Sequence, residues 1–291
     1  MGCDIHFYVE KFKLTGPDEK LGPSMDHLNR PGTWVTADKW EPNEYYKPDD
    51  PDYAGEPPLR VDYDSRFYTG RNYDLFAILA DVRNGSGFAG CDTGDGFVPI
   101  DEPRGLPVDV SPEVKADSDR WDCDGHSHSW FGLKELLSYN WLQTTKQRGV
   151  MHAHSYLQWS WYDRFRGKGP DTYSGGIWGP GIVTHPSMAD MDQFLINAWL
   201  ETASDEGKAK LAEIPEDDGW NRLRLISRNE VFEERVKKEL HNHIVQAEWE
   251  ESYVSAVQHF WVGTLPKLLQ LAMENGQFCP EHVRIVFWFD N

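Results

Sequence analysis

Long apolar runs are missing from this chain of 291 residues: no stretch approaches the roughly 20 that a bilayer-spanning helix needs. Cysteine is scarce. Cys3, Cys91, Cys123 and Cys279 are scattered with no Cys-x-x-Cys spacing, which fits a reduced, intracellular protein. The chain does not open on a basic stretch followed by an apolar segment, so it reads as cytoplasmic rather than exported. Basic residues are outnumbered 29 to 48, and the formal charge of −19 argues against a sequence-independent grip on duplex nucleic acid, which needs clustered Lys and Arg. Nucleophile and phosphate-loop signatures such as Gly-x-Ser-x-Gly or a Walker motif are absent. Asp92-Thr93-Gly94-Asp95-Gly96 has the beginning of a calcium loop but lacks its bidentate Glu at the twelfth position.

What remains is a chain with 39 % hydrophobic and 26 % charged residues, able to bury a sizeable core without disulfides. Asp4-Ile5-His6-Phe7-Tyr8-Val9-Glu10 alternates as a strand does, with Ile5, Phe7 and Val9 on one face and Asp4, His6, Tyr8 and Glu10 on the other. Residues 14–66 are rich in Pro, Gly, Asp and Tyr and read as an irregular excursion with one hairpin near Trp34 and Val35. A helix capped by Asn72 follows, with Leu75, Phe76, Ile78, Leu79 and Val82 on its apolar face, ending at Asn84-Gly85-Ser86-Gly87. Residues 85–129 are again loop-rich; a helix is expected over Phe131 to Gln143. The Gly-Pro-containing segment from Ser174 to Gly181 reads as a mobile loop, and 187–276 as helix-rich, including one long helix from Asn229 to Phe260 and a last one capped by Thr264. Val283 to Phe289 closes the chain as a strand. The expectation is a single α+β domain over 1–291, one sheet containing both terminal strands, covered by helices and long irregular loops.

Three His-x-His pairs stand out. His241 and His243, placed on the long helix, would lie on opposite sides of its axis and cannot chelate one ion together. In extended backbone His126 and His128 project together, as do Asp4 and His6, and a neighbouring C-terminal strand would add Asp290. The expected site is therefore a divalent transition metal (zinc, manganese or iron) held by Asp4, His6, His126, His128 and Asp290. His152, His154 and Arg71 are the candidate catalytic groups, and Arg104, Asn72 and Trp130 the candidate substrate contacts. Such an ion acidifies bound water and polarises a phosphoryl oxygen, so the leading expectation is a metal-dependent hydrolase of a small phosphate-containing molecule such as a nucleotide signal. The 13 Trp and 12 Tyr support a rival, a protein that sequesters a nucleotide without turnover. The acidity supports another, an interaction protein that covers a host partner's surface.

Asp4-Ile5-His6 and Gly125-His126-Ser127-His128 resemble the Asp-x-His and Gly-His-x-His motifs of calcineurin-like metallophosphoesterases, which implies phosphate-ester cleavage with two metals. Arg71 in Gly70-Arg71-Asn72-Tyr73-Asp74 stands where that family carries its bridging Asp, and no Gly-Asn-His motif is present. Met-Gly-Cys-Asp-Ile-His, residues 70–77, Pro-Arg-Gly-Leu-Pro at 103–107, His-Ser-His-Ser-Trp at 126–130 and the closing Phe-Trp-Phe-Asp-Asn are similar to a family of tailed bacteriophages and bacteria. That resemblance covers the whole chain, implies a phage or bacterial cytosolic protein, and carries an associational hint of action on host nucleotides or defence systems.

Overall fold

The computed structural model describes residues 2–15, 31–53, 56–84, 97–274 and 276–290. In chain order the elements are β1 (Asp4–Leu14), β2 (Gly32–Thr36), β3 (Trp40–Pro42), β4 (Leu59–Val61), α1 (Tyr73–Ala80), α2 (Pro112–Arg120), β5 (His126–Gly132), α3 (Leu133–Ser138), β6 (Thr144–His152), α4 (Ala153–Tyr162), β7 (Val183–His185), α5 (Met188–Thr202), α6 (Asp205–Ala212), α7 (Gly219–Ser227), α8 (Glu230–Glu239), β8 (His243–Ser252), α9 (Tyr253–Ala256), α10 (Leu265–Leu271), β9 (Met273–Glu274), β10 (Gln277–Phe278) and β11 (Val283–Asp290). The class is α+β, and both terminal strands lie side by side in a four-stranded sheet of order β2-β1-β11-β5. A three-stranded sheet, β6-β8-β7, and two short ribbons, β3-β4 and β9-β10, stand apart from it. Among the described residues no helix is long and apolar enough to cross a membrane.

The chain packs as two compact units, one of Met1–Val82, Val98–Asn140 and Val257–Asn291, the other of Arg83–Phe97 and Trp141–Ala256. No linker or composition shift in the sequence marks that division. In the first unit β1 runs antiparallel to β11 with Asp4 opposite Asp290, His6 opposite Trp288, Tyr8 opposite Val286 and Glu10 opposite Arg284. Residues directly opposite in an antiparallel pair share a face. One face of the sheet therefore carries these four rungs, and the other carries Ile5, Phe7 and Val9 against Phe289, Phe287 and Ile285. Except at the ends, both faces are buried.

A charged rung inside a core needs every lone pair and proton met. Arg284 Nε donates to Glu10 Oε2 at 2.6 Å, and its other nitrogens reach the carboxylate and carbonyl of Asp109. The second Glu10 oxygen accepts from the Ser111 amide at 2.7 Å. The indole of Trp34 lies 4.1 Å from the guanidinium carbon. Close by, Asp38 accepts from the Val9 amide at 2.8 Å, and burial lifts its pKa from 3.8 to about 7.

In the second unit an alternation replaces the expected long helix. Val245, Ala247, Trp249 and Glu251 are buried while Gln246, Glu248 and Glu250 are exposed, a period of two that makes 243–252 the central strand β8. The helix before it ends at Glu239, and His243 starts a strand. The Glu-rich solvent face conceals the alternation, because Glu, Gln and Ala are strong helix formers taken singly. The 131–143 expectation also shrinks: Phe131 and Gly132 belong to β5, and the helix runs only from Leu133 to Ser138. Residues 112–120, read as loop, form α2, with Pro112 in its first turn. Helix α1 is capped by Asn72 as expected but stops at Ala80, where Asp81 takes a left-handed conformation (φ 54°). The calcium-like 92–96 segment lies outside the described residues.

Two outcomes follow from the buried charges. Arg284→Met is expected to lower unfolding stability by about 3–5 kcal/mol, and adding Glu10→Gln should recover part of it, as measured by urea denaturation. For Asp38 the folded pKa lies above the unfolded value. Its carboxyl therefore favours the fold below about pH 4 and loses that advantage as pH rises through about 7. Asp38→Asn should raise the melting temperature at pH 8 relative to wild type more than at pH 5; an equal change at both would contradict the assignment.

Candidate functional site

Alternation along β1 sends Asp4 and His6 to the same face, and the register of β11 sets Asp290 across from Asp4. His6 Nε2 faces Asp290 Oδ2 at 3.3 Å, and the other Asp290 oxygen accepts from the Asp4 amide at 3.0 Å. Arg71, in the loop before α1, grips Asp4 with two nitrogens, Nε to Oδ1 at 2.6 Å and Nη2 to Oδ2. A Cβ on Gly2 would stand 2.8 Å from a guanidinium nitrogen of Arg71, so glycine there keeps room for the clamp. Two carboxylates facing each other across adjacent strands repel unless cations intervene. Arg71 neutralises one, and the other is held by hydrogen bonds to the Asp4 amide and the His6 ring.

His6 packs between two indoles. Trp121 lies 4.2 Å away by ring centroid, and Trp288 stacks at 5.3 Å with planes 13° apart. Burial among these rings lowers the His6 pKa below 6.5, against an opposing pull from the Asp290 carboxylate. A neutral imidazole at pH 7 results, with Asp290 its single hydrogen-bond partner among the described residues. Next along the strand the Tyr8 hydroxyl donates a short hydrogen bond to Asp117 of α2, which Arg120 holds from the other side at 3.0 Å. Burial, with the Asp117 charge, pushes the Tyr8 phenol well above its usual range.

A cleft of about 310 Å³ opens over these groups, lined by Asp4, His6, Tyr8, Asp290 and Trp121 and walled by Tyr63, Arg66 and Tyr68. Tyr63 is 66 % exposed, and the Arg66 guanidinium lies 5.3 Å from its ring. Arg66 makes no ion pair with a carboxylate among the described residues.

The five expected metal ligands do not share one centre. β11 lies between β1 and β5, and Trp288 fills the gap: it stacks on His6 from one side and on His128 from the other, at 5.5 Å. His128 turns to Ser118, whose hydroxyl is 2.9 Å from its Nε2. His126 faces the opposite side of the sheet. A β-bulge between the Phe287–Ser129 and Phe289–His126 rungs, with Ser127 at φ 52°, inserts one extra residue and puts the His126 ring against Phe289. The extended geometry expected for Gly125-His126-Ser127-His128 therefore fails at Ser127. Among the described residues no group of three His, Cys, Asp or Glu side chains has metal-holding geometry.

The remaining candidates are placed as follows. Arg71 belongs to the Asp4 cluster. Asn72 spends its side-chain oxygen on the Leu75 amide, as helix cap. Arg104 is held by Asp101 and Glu135 at 2.7–2.8 Å and stacks on Phe131, and Trp130 packs beside it; these two support β5 and not the cleft. His152 and His154 belong to the second unit, where His152 Nδ1 faces the His241 carbonyl at 2.6 Å and His154 Nε2 faces Glu233 at 3.3 Å. Tyr8 shared the alternation of Asp4 and His6 and was legible by that signal; Arg66 and Trp121 reach the cleft, and Asp117 reaches Tyr8, by tertiary packing that no local pattern announces.

No family model, curated protein or solved structure matches this chain.

The pairing of His6 with Asp290 gives a direct test by NMR titration of the imidazole. The expected apparent pKa is below 6.5, and Asp290→Asn should lower it further by removing the charge that favours the protonated ring. A value above 6.5, or a rise in the variant, would contradict the arrangement.

Proposed function

We propose that the cleft of the first unit binds a small phosphate-containing molecule, such as a nucleotide, and hydrolyses it, with His6 as general base. The observation that carries this reading is the neutral, carboxylate-oriented imidazole on the floor of a ligand-sized cleft whose wall carries the unpaired cation Arg66. Asp290 accepts the Nε2 proton and fixes the tautomer, so Nδ1 keeps its lone pair. That nitrogen takes a proton from water as the water oxygen attacks phosphorus, and the imidazolium returns it to the departing oxygen. Arg66 neutralises the phosphoryl charge, and Arg71 exchanges Asp4 for phosphate as the ligand enters. Arginine thus fills the role that the sequence reading gives to zinc, manganese or iron. Asp4, His6 and Asp290 are the expected ligands that lie together, and as placed they lack metal-holding geometry.

Sequestration without turnover is the second reading. It is favoured by the exposed Tyr63 ring at the cleft wall, a surface on which a base can stack.

The test is phosphate release from a panel of nucleoside mono-, di- and cyclic phosphates, with and without chelator. Turnover is expected to survive chelation, to fall by about 10²-fold or more in His6→Asn, and to show a raised KM in Arg66→Ala. Loss on chelation would contradict this metal-free mechanism. A ligand bound and recovered unaltered would leave sequestration, and full activity in His6→Asn would defeat the proposal.

A further inference from the structure

The second unit carries a surface that the cleft chemistry does not use. At the end of α4 and in the turn after it, Trp161, Tyr162 and Phe165 are each more than two-fifths exposed, and so is Trp220 on α7. Phe165 and Trp220 meet with ring centroids 5.4 Å apart. Arginines are interleaved with these rings. The Arg166 guanidinium lies 3.8 Å over Tyr162 and donates to its hydroxyl, Arg224 lies 5.5 Å from the Trp220 centroid, and Arg164 lies 5.3 Å from Phe165. Trp220, Arg224 and Arg228 are spaced by four along α7 and its cap, which aligns them on one helix face.

Charge pairing separates these arginines from most others outside the cleft. Arg60, Arg71, Arg104, Arg164, Arg235 and Arg284 each hold a carboxylate. Among the described residues Arg166, Arg224 and Arg228 do not, in a chain with 48 acidic residues. Unpaired guanidinium groups beside exposed rings offer two things at once: flat apolar faces and donors for phosphate. Single-stranded nucleic acid presents the complement, unstacked bases along a phosphate backbone, whereas a duplex hides its base faces.

We propose that this surface is a platform for single-stranded nucleic acid, with bases stacking on Phe165 and Trp220 and phosphates held by Arg166, Arg224 and Arg228. The neighbouring acids limit its reach. Asp218 is occupied in capping α7 and Asp163 faces Lys168, but Glu216 and Asp217 are exposed just before the helix and oppose phosphate there.

Fluorescence anisotropy of labelled dT12 and rU12 with the full chain tests this directly. Saturable binding is expected at about 50 mM salt, with a Kd of order 10⁻⁴–10⁻⁶ M and a log–log salt slope near about −2, the value for three phosphate contacts on a single strand. Phe165→Ala with Trp220→Ala should weaken binding by about fivefold or more, and Arg224→Glu with Arg228→Glu should abolish it. Glu216→Gln with Asp217→Asn should tighten it. These positions are exposed or half-buried, so an unchanged thermal melt separates lost binding from lost folding. Binding of either oligonucleotide with this pattern supports the platform, and the dT12 to rU12 ratio reports which sugar it prefers. No saturable binding to either, equal binding by the arginine variant, or preference for a duplex of the same length would overturn it. So would an arginine variant that instead abolishes self-association of the protein, since the surface would then pair with the acidic face of a second copy.

Discussion

Everything at the candidate site depends on the register in which β1 meets β11. Antiparallel pairing of Asp4 with Asp290 stacks four rungs on one face, from paired carboxylates at the open end to the buried Glu10–Arg284 pair. A slip by one residue would turn each of these side chains to the apolar face occupied by Phe7, Phe287 and Phe289. The buried rung opposes such a slip, because Arg284 finds Glu10, Asp109 and Trp34 together at one position. The same register delivers His6 to Asp290 and Trp288 to the space between two histidines.

Trp288 decides what the site is. Its indole, wholly buried, separates His6 from His128 and leaves each with its own partner, Asp290 or Ser118. The imidazole in the cleft is thereby desolvated, oriented by one carboxylate and kept neutral, which suits proton transfer. The carboxylate opposite is neutralised by the Arg71 fork, so the pair of facing acids persists without mutual repulsion setting its geometry.

The strand at each end, their pairing, and the convergence of Asp4, His6 and Asp290 were legible because alternation is a local signal and a terminal apolar strand needs a sheet to cover it. The position of His126 was not. Its face depends on one extra residue at Ser127, whose left-handed conformation the sequence does not mark with glycine or asparagine. Nor was β8, where glutamates on the wet face imitate a helix, or the cleft wall, which Arg66 and Trp121 reach only through the folding of distant segments. The unpaired arginines of α7 likewise became visible once the carboxylates had found their partners.

The central claim, that a phosphate-bearing ligand sits against Arg66 with His6 beside the reacting phosphorus, is tested most directly by a structure determined with a non-hydrolysable nucleotide analogue. The account predicts phosphoryl oxygens within hydrogen-bond distance of Arg66 and a His6 ring nitrogen directed at the position of attack. Analogue bound elsewhere while this cleft holds only solvent would contradict it.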